Sequence, residues 1–215
     1  MGAHLFMGVT LAELRFCAAA EMNLAVSSAG VALAKYLKRR FGTPYAVGFP
    51  MGREHAERWL ASLREGGIPK KNDENRPGKR LLIVADQVLG NSLRDALRLA
   101  GADFGIDVAS FFGWDAELAE SGDAHLAEEA QYLRLLKTGR YFALAGDAML
   151  MDVPGAERLK RLEISHPAVS SELGWKKVPR YLSETFSKQI REIPVTRRGS
   201  GLGRAAPCEK QKAGE

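Results

Sequence analysis

The sequence predicts an α/β protein with parallel sheets, built as two units of which the first is incomplete. Three observations carry this. Short apolar runs alternate with amphipathic stretches of helical length in both halves of the chain. The run Leu81–Ala85 is apolar throughout, as expected of a strand buried on both faces. A Gly-, Pro- and Asn-bearing stretch from Gly66 to Lys79 interrupts the pattern and divides it. Strand–helix–strand alternation implies parallel strands joined by right-handed crossovers, so each unit reads as Rossmann-like.

In chain order, Thr10 is an N-cap with Glu13 completing a capping box, and the first helix runs to about Ala20. A strand is expected over Met22–Ser27. Small residues follow, Ser27, Ser28, Ala29 and Gly30, and a helix over Gly30–Phe41. It has Val31, Ala32, Leu33, Tyr36 and Leu37 on or near one face, and Lys35, Lys38, Arg39 and Arg40 elsewhere. Gly42 stops this helix, and Pro44 opens a strand near Tyr45–Phe49. Arg53–Arg64 is a further helix, with Trp59, Leu60 and Leu63. Two parallel strands do not make a stable sheet alone. Either the amino-terminal segment adds a strand or the sheet edge pairs outside the chain.

The second unit starts at Leu81–Ala85. Helices are expected at Asn91–Ala100, Ala124–Lys137 and Val178–Ile190, and strands at Ile106–Phe112, Tyr141–Ala145 and Leu159–Ile164. From Arg191 onward large apolar residues are scarce, as in a disordered tail. The expected organisation is a partial Rossmann-like unit over 1–66, a linker over 67–79, a Rossmann-like α/β domain over 80–190 and a disordered basic tail over 191–215.

The net charge is +5 and the pI about 9.3. The segment from Arg191 holds six Lys or Arg against three Glu, so the body carries only +2. A nucleic-acid groove concentrates charge on the folded part, so nucleic acid is not expected as a partner. The two cysteines, Cys17 and Cys208, form no CxxC pair, which fits a reduced, cytoplasmic protein. No signal peptide and no membrane span is expected.

No GxxxxGK[ST] occurs, and Gly199, Gly201 and Gly203 neither follow a strand nor open a helix. Asp86, just after Leu81–Ala85, would repel a phosphate at the next helix start. The turn Ser27–Gly30 could bring a ligand to backbone amides, or it could be a helix start with a serine N-cap. His166, before Pro167, could hold a metal or move a proton, or be a turn histidine. Asp86 and Asp147 both follow strands, where they could carry chemistry or cap the next segment. His55 and His125 fall on expected helices and read as solvated; Cys17 reads as a small core residue. Ser27, His166 and Asp86 could form a hydrolase arrangement, but no Gly-x-Ser-x-Gly elbow accompanies them.

Over about residues 9–185, the segments Asn23–Gly30, Lys35–Tyr45, Gly78–Arg94 and Glu163–Ser171, with Ile164-Ser165-His166-Pro167, resemble the carboxy-terminal two domains of the nitrogenase component 1 family. That resemblance implies an oxidoreductase subunit acting with a homologous or amino-terminal-domain partner chain. Its electrons would come from an ATP-driven iron–sulfur reductase protein. It also implies that Ser27 stands where the catalytic nitrogenase subunit has a cluster-ligating cysteine. His166 would lie near the histidine beside the metal cofactor. The resemblance leaves out the family's amino-terminal domain, which points to a split-gene product, a fragment or a shortened relative. The cofactor-binding candidates are Ser27, Ser28, Gly30 and His166, with His166 as the metal candidate. No cofactor is expected in the isolated chain, and a metal cluster or tetrapyrrole in a complex. The alternative is a non-catalytic scaffold or binding protein for a tetrapyrrole or metal-cofactor precursor.

Overall fold

The computed structural model describes residues 10, 12, 19–64, 76, 78–165, 169 and 179–198. The expected helix from Thr10, Cys17 and His166 with its flanking turn lie outside these or at their margin. Among the described residues the chain runs β1 (Asn23–Ala25), α1 (Ser28–Phe41), β2 (Tyr45–Val47) and α2 (Gly52–Arg64). It continues through β3 (Arg80–Val84), α3 (Gln87–Leu99), β4 (Gly105–Ser110), a 3-10 turn at Ala116–Leu118 and β5 (Ala124–His125). Then come α4 (Glu129–Lys137), β6 (Tyr141–Gly146), α5 (Ala148–Met151), β7 (Lys160–Glu163) and α6 (Glu184–Arg198).

All pairings are parallel. β1 pairs with β2 in a two-stranded sheet, and the second sheet has the order β5-β4-β3-β6-β7. The predicted α/β class with parallel sheets holds. In the larger sheet the order reverses direction between β3 and β6, the switch point at which open α/β sheets form their crevice.

β3 is buried at every position because helices cover both faces of its sheet. On one face Leu81 and Ile83 pack with Leu93 and Leu97 of α3, and with Phe186 and Ile190 of α6. On the other, Leu82 and Val84 pack with Tyr132 and Leu136 of α4. Alternation along β3 sends successive side chains into the two layers. Met51, just before α2, joins the first of these cores, and Val88 of α3 joins Ala25, Val31 and Ala34 under α1. The two sheets therefore share apolar packing.

Several segments differ from the sequence reading. α3 starts at Gln87 instead of Asn91, because Asp86 caps it, and α5 was not expected. Ala124–His125 is a strand, not the start of a helix. β4 claims this backbone: Leu126 N–H donates to Ser110 O at 2.8 Å, and Asp123 Oδ1 accepts from Val108 N–H at 2.7 Å. α4 begins only at Glu129. The last helix begins at Glu184 and runs to Arg198, past the expected tail boundary at Arg191. It persists because Ile190 is buried and Ile193 packs on the same core. Arg191 also joins Glu54 at 2.9 Å and Glu184 at 2.5 Å.

Candidate functional site

The carboxyl ends of the strands form one polar rim. In spatial order it carries His125 on β5, Ser110 on β4, Asp86 after β3, Asp147 after β6 and Ser165 after β7. Ser110, Asp86, Asp147 and Ser165 are all buried. Asp86 and Asp147 flank the switch point between β3 and β6.

Asp86 is the hub. As N-cap of α3 its Oδ1 accepts from Val88 N–H at 3.0 Å and from Leu89 N–H at 3.3 Å. The same carboxylate reaches the start of α1, 58 residues earlier in sequence. Ser28 N–H donates to Oδ2 at 3.0 Å and to Oδ1 at 3.2 Å, and Ser28 Oγ donates to Oδ2 at 2.5 Å. One carboxylate thus neutralises the orphan amides at two helix starts, where the positive ends of both dipoles converge. Ser27 occupies the N-cap position of α1, yet its side chain makes no capping bond. The plain-cap reading of that serine is corrected: the cap of α1 is a tertiary contact from Asp86.

Asp147 plays the local version of this role, accepting from Met149 N–H at 3.0 Å as N-cap of α5. The capping alternative for both aspartates is therefore what the geometry displays. Asp86 holds the amides that a phosphate would need at α1 and α3.

The loop after β4 closes one side of the crevice. Gln87, fully buried, clasps Asp115 with both ends of its amide: Nε2 donates to Asp115 O at 2.9 Å, and Asp115 N–H donates to Oε1 at 2.8 Å. Asp115 and Glu117 then hold Lys35 of α1 at 2.5 and 2.8 Å, raising its pKa through these hydrogen bonds. Gly113 sits against Ser28, where a Cβ would lie 3.0 Å from Ser28 Oγ, so any side chain there would crowd the Ser28–Asp86 contact. The Trp114 ring stacks on His125 at 5.8 Å and 12°.

Of the predicted site residues, Ser27, Ser28 and Gly30 lie at the start of α1; Ser28 meets Asp86 and Gly113, while Gly30 faces Ala25 of β1. Gly30 N–H donates to Ser27 O at 3.1 Å. His166 lies outside the described residues. For the hydrolase arrangement, Asp86 bonds Ser28 rather than Ser27 and is committed to main-chain amides. His125 lies on a strand instead of a helix, and His55 is half-buried. The His55 Nδ1 accepts from Met51 N–H at 3.2 Å, and burial, aided by Arg58, pushes its pKa down to about 4.

The described residues do not fit a soft-metal cluster. The hydroxyl of Ser27 is a poor ligand for it, and the Asp86 oxygens are taken by donors. Among the described residues no three His, Cys, Asp or Glu side chains gather as metal ligands, and no helix is long and apolar enough to cross a membrane.

No protein-family model matches this chain, and no curated protein matches it. Among solved structures it is similar to "Nitrogenase Cp1 at pH 6.5", with a TM-score of 0.52 and 13% identity. The fold is nitrogenase-like. The match covers 85% of this chain and 47% of that one, so the chain spans about half the length of the nitrogenase chain it matches.

Proposed function

We propose that the chain is a subunit of a nitrogenase component 1-like oxidoreductase, working in the cytoplasm with a partner chain. An ATP-dependent iron–sulfur reductase protein supplies its electrons. The observation behind this is the shared fold over 85% of the chain. The parts of nitrogenase Cp1 without a counterpart here fall, on this reading, to the partner. The ligand-facing positions are Ser27, Ser28, Gly30 and His166, at the ends of parallel strands where such folds place ligands. The domain division is the one read from sequence, with the carboxy-terminal boundary moved to the end of α6.

One observation favours a second reading, a scaffold or binding protein for a tetrapyrrole or metal-cofactor precursor. Asp86 is tied to two helix starts, and a serine stands at position 27, so neither supplies a thiolate or a free base for redox chemistry, which a binding role does not need. Anaerobic purification of the tagged full chain from its own cells tests both. The oxidoreductase reading expects a component 1-like chain to co-purify, and its chromophore to be reduced when the iron–sulfur protein and ATP are added. A chromophore that is bound but never reduced supports the scaffold. A chain that purifies alone and colourless overturns both.

A further inference from the structure

We propose that the outer edge of β1, unpaired among the described residues, is a docking site for a strand of a separate protein chain, apolar in alternation and acidic at one end. This deepens the partner requirement of the proposed function and names the surface. It rests on the geometry of β1 and α1 and on no redox chemistry.

The edge follows from the hydrogen bonds. Asn23 N–H donates to Pro44 O at 2.9 Å and Ala25 O accepts from Gly48 N–H at 3.1 Å, so these residues face β2. Alternation turns the N–H and C=O of Leu24 the other way. Among the described residues no strand takes them up, since β1 pairs only with β2. Such an edge is a template for strand addition.

The flanks are apolar. Ala25 points at α1 and is buried, so Leu24 and Val26 point to the opposite face, where they are 49% and 48% exposed. On the α1 side, Val31, Ala34 and Leu37 face the sheet. Lys35 reaches Asp115 in the second sheet's loop, and Lys38, on the same flank of α1, lies over Tyr45 of β2. In a right-handed crossover the other flank, with Leu33, then overhangs β1. Leu33 is 39% exposed and Tyr36, further round, 49%. A strand added to β1 would pack beneath Leu33 and beside Leu24 and Val26.

Charge selects the occupant. The last turn of α1 carries Lys38, Arg39 and Arg40, all exposed. Among the described residues Lys38 and Arg40 meet aromatic rings of Tyr45 and Phe41, and none of the three has an ion pair. α1 runs antiparallel to β1, and Arg40, seven residues after Leu33, shares its flank, so this cation lies towards the amino end of the edge with Arg39 beside it, while Lys38 is turned to Tyr45 of β2. A carboxylate at that end of an incoming strand finds them, whereas a second copy brings its own cations and a net charge of +5.

The test uses the full chain and two fluorescent seven-residue peptides of alternating valine and threonine, one with an Asp-Glu end and one with a Lys-Lys end. The acidic peptide is expected to bind at least about tenfold more tightly, with affinity falling as salt rises. Binding should protect the Leu24 amide from hydrogen exchange. R39E/R40E should reverse the peptide preference, and L33D should weaken both peptides while leaving the circular dichroism spectrum unchanged. Equal binding of the two peptides, no binding, or protection elsewhere would overturn the proposal. So would a wild-type dimer dispersed by L33D, which would make the edge a self-interface. Neither peptide needs iron or ATP, so failure of the electron-transfer reading leaves this result standing.

Discussion

Asp86 serves two helices with one carboxylate, and the consequence can be measured. Asp86→Ala leaves amides of Ser28, Val88 and Leu89 without their acceptor. Losing a cap and exposing buried donors predicts a cost of about 2–4 kcal/mol. Ser28→Ala removes one charge-assisted bond and keeps the main-chain contact, so about 1–2 kcal/mol is expected. Urea unfolding of both variants checks the ranking; equal losses would show that Asp86 acts only through the Ser28 hydroxyl and that its main-chain contacts at α1 and α3 contribute nothing. His55 gives a pH signature. Its folded pKa is lowered to about 4 from an unfolded 6.5, mainly by burial. The unfolded chain therefore binds the extra proton first. The His55 contribution is complete above pH 6.5 and is lost as pH falls through 4. Unfolding free energies of the wild type and His55→Gln should converge between pH 7.5 and 4.5. A constant gap would mean that the imidazole is not titrating in this window.

At the scale of elements, α6 decides where the folded chain ends. Ile190 is buried among Phe186, Met51 and Leu97, and Ile193 packs beside it. Truncation after Ile190 should lower the melting temperature by several degrees, whereas truncation after Arg198 should leave it nearly unchanged. Equal melting temperatures would show that the last two turns of α6 contribute nothing. The amino edge of the larger sheet offers a second test, away from the rim. Asp107 is fully buried and accepts from Arg80 Nη2 at 2.6 Å, Arg140 Nη2 at 2.8 Å and the Tyr141 hydroxyl at 3.0 Å. Asp107→Ala removes the buried carboxylate that Arg80 Nε and Nη2 donate to and predicts a loss of about 3–5 kcal/mol. Chemical denaturation reads it, and Asp107→Asn should recover part of the loss by keeping an acceptor.

For the whole molecule, the shared packing of Met51 with α6 and of Val88 with α1 predicts one cooperative transition. Trp59 reports the first unit and Trp114 the second. In a Trp175→Phe background, the Trp59→Phe and Trp114→Phe variants each keep one of these reporters, and both should change at the same denaturant concentration. Two separated midpoints would show that the units fold independently.

Much of this fold was legible in the sequence because it is written in local terms. The apolar run at Leu81–Ala85 marks a doubly buried strand. Gly42 ends α1 with φ +74°, its N–H donating to Lys38 O at 2.9 Å. The alternation of runs and amphipathic stretches determined the parallel α/β class, because side-chain period and burial are set by nearest neighbours along the chain. The site was less legible. A serine N-cap was expected somewhere in Ser27–Gly30, but the working contact is Ser28 on Asp86, and nothing near either residue in sequence announces the other. Ala124–His125 carries no strong strand signal and becomes a strand because β4 supplies partners for its backbone. His55 looks solvated beside its charged neighbours, and only the tertiary structure half-buries it. The sequence by itself determined the parallel α/β class and the place of most strands and helices, though not Ala124–His125 or the ends of α3 and α6. The tertiary structure alone decided which polar groups meet, because a hydrogen bond between residues 28 and 86 depends on how two packed units place their helix starts.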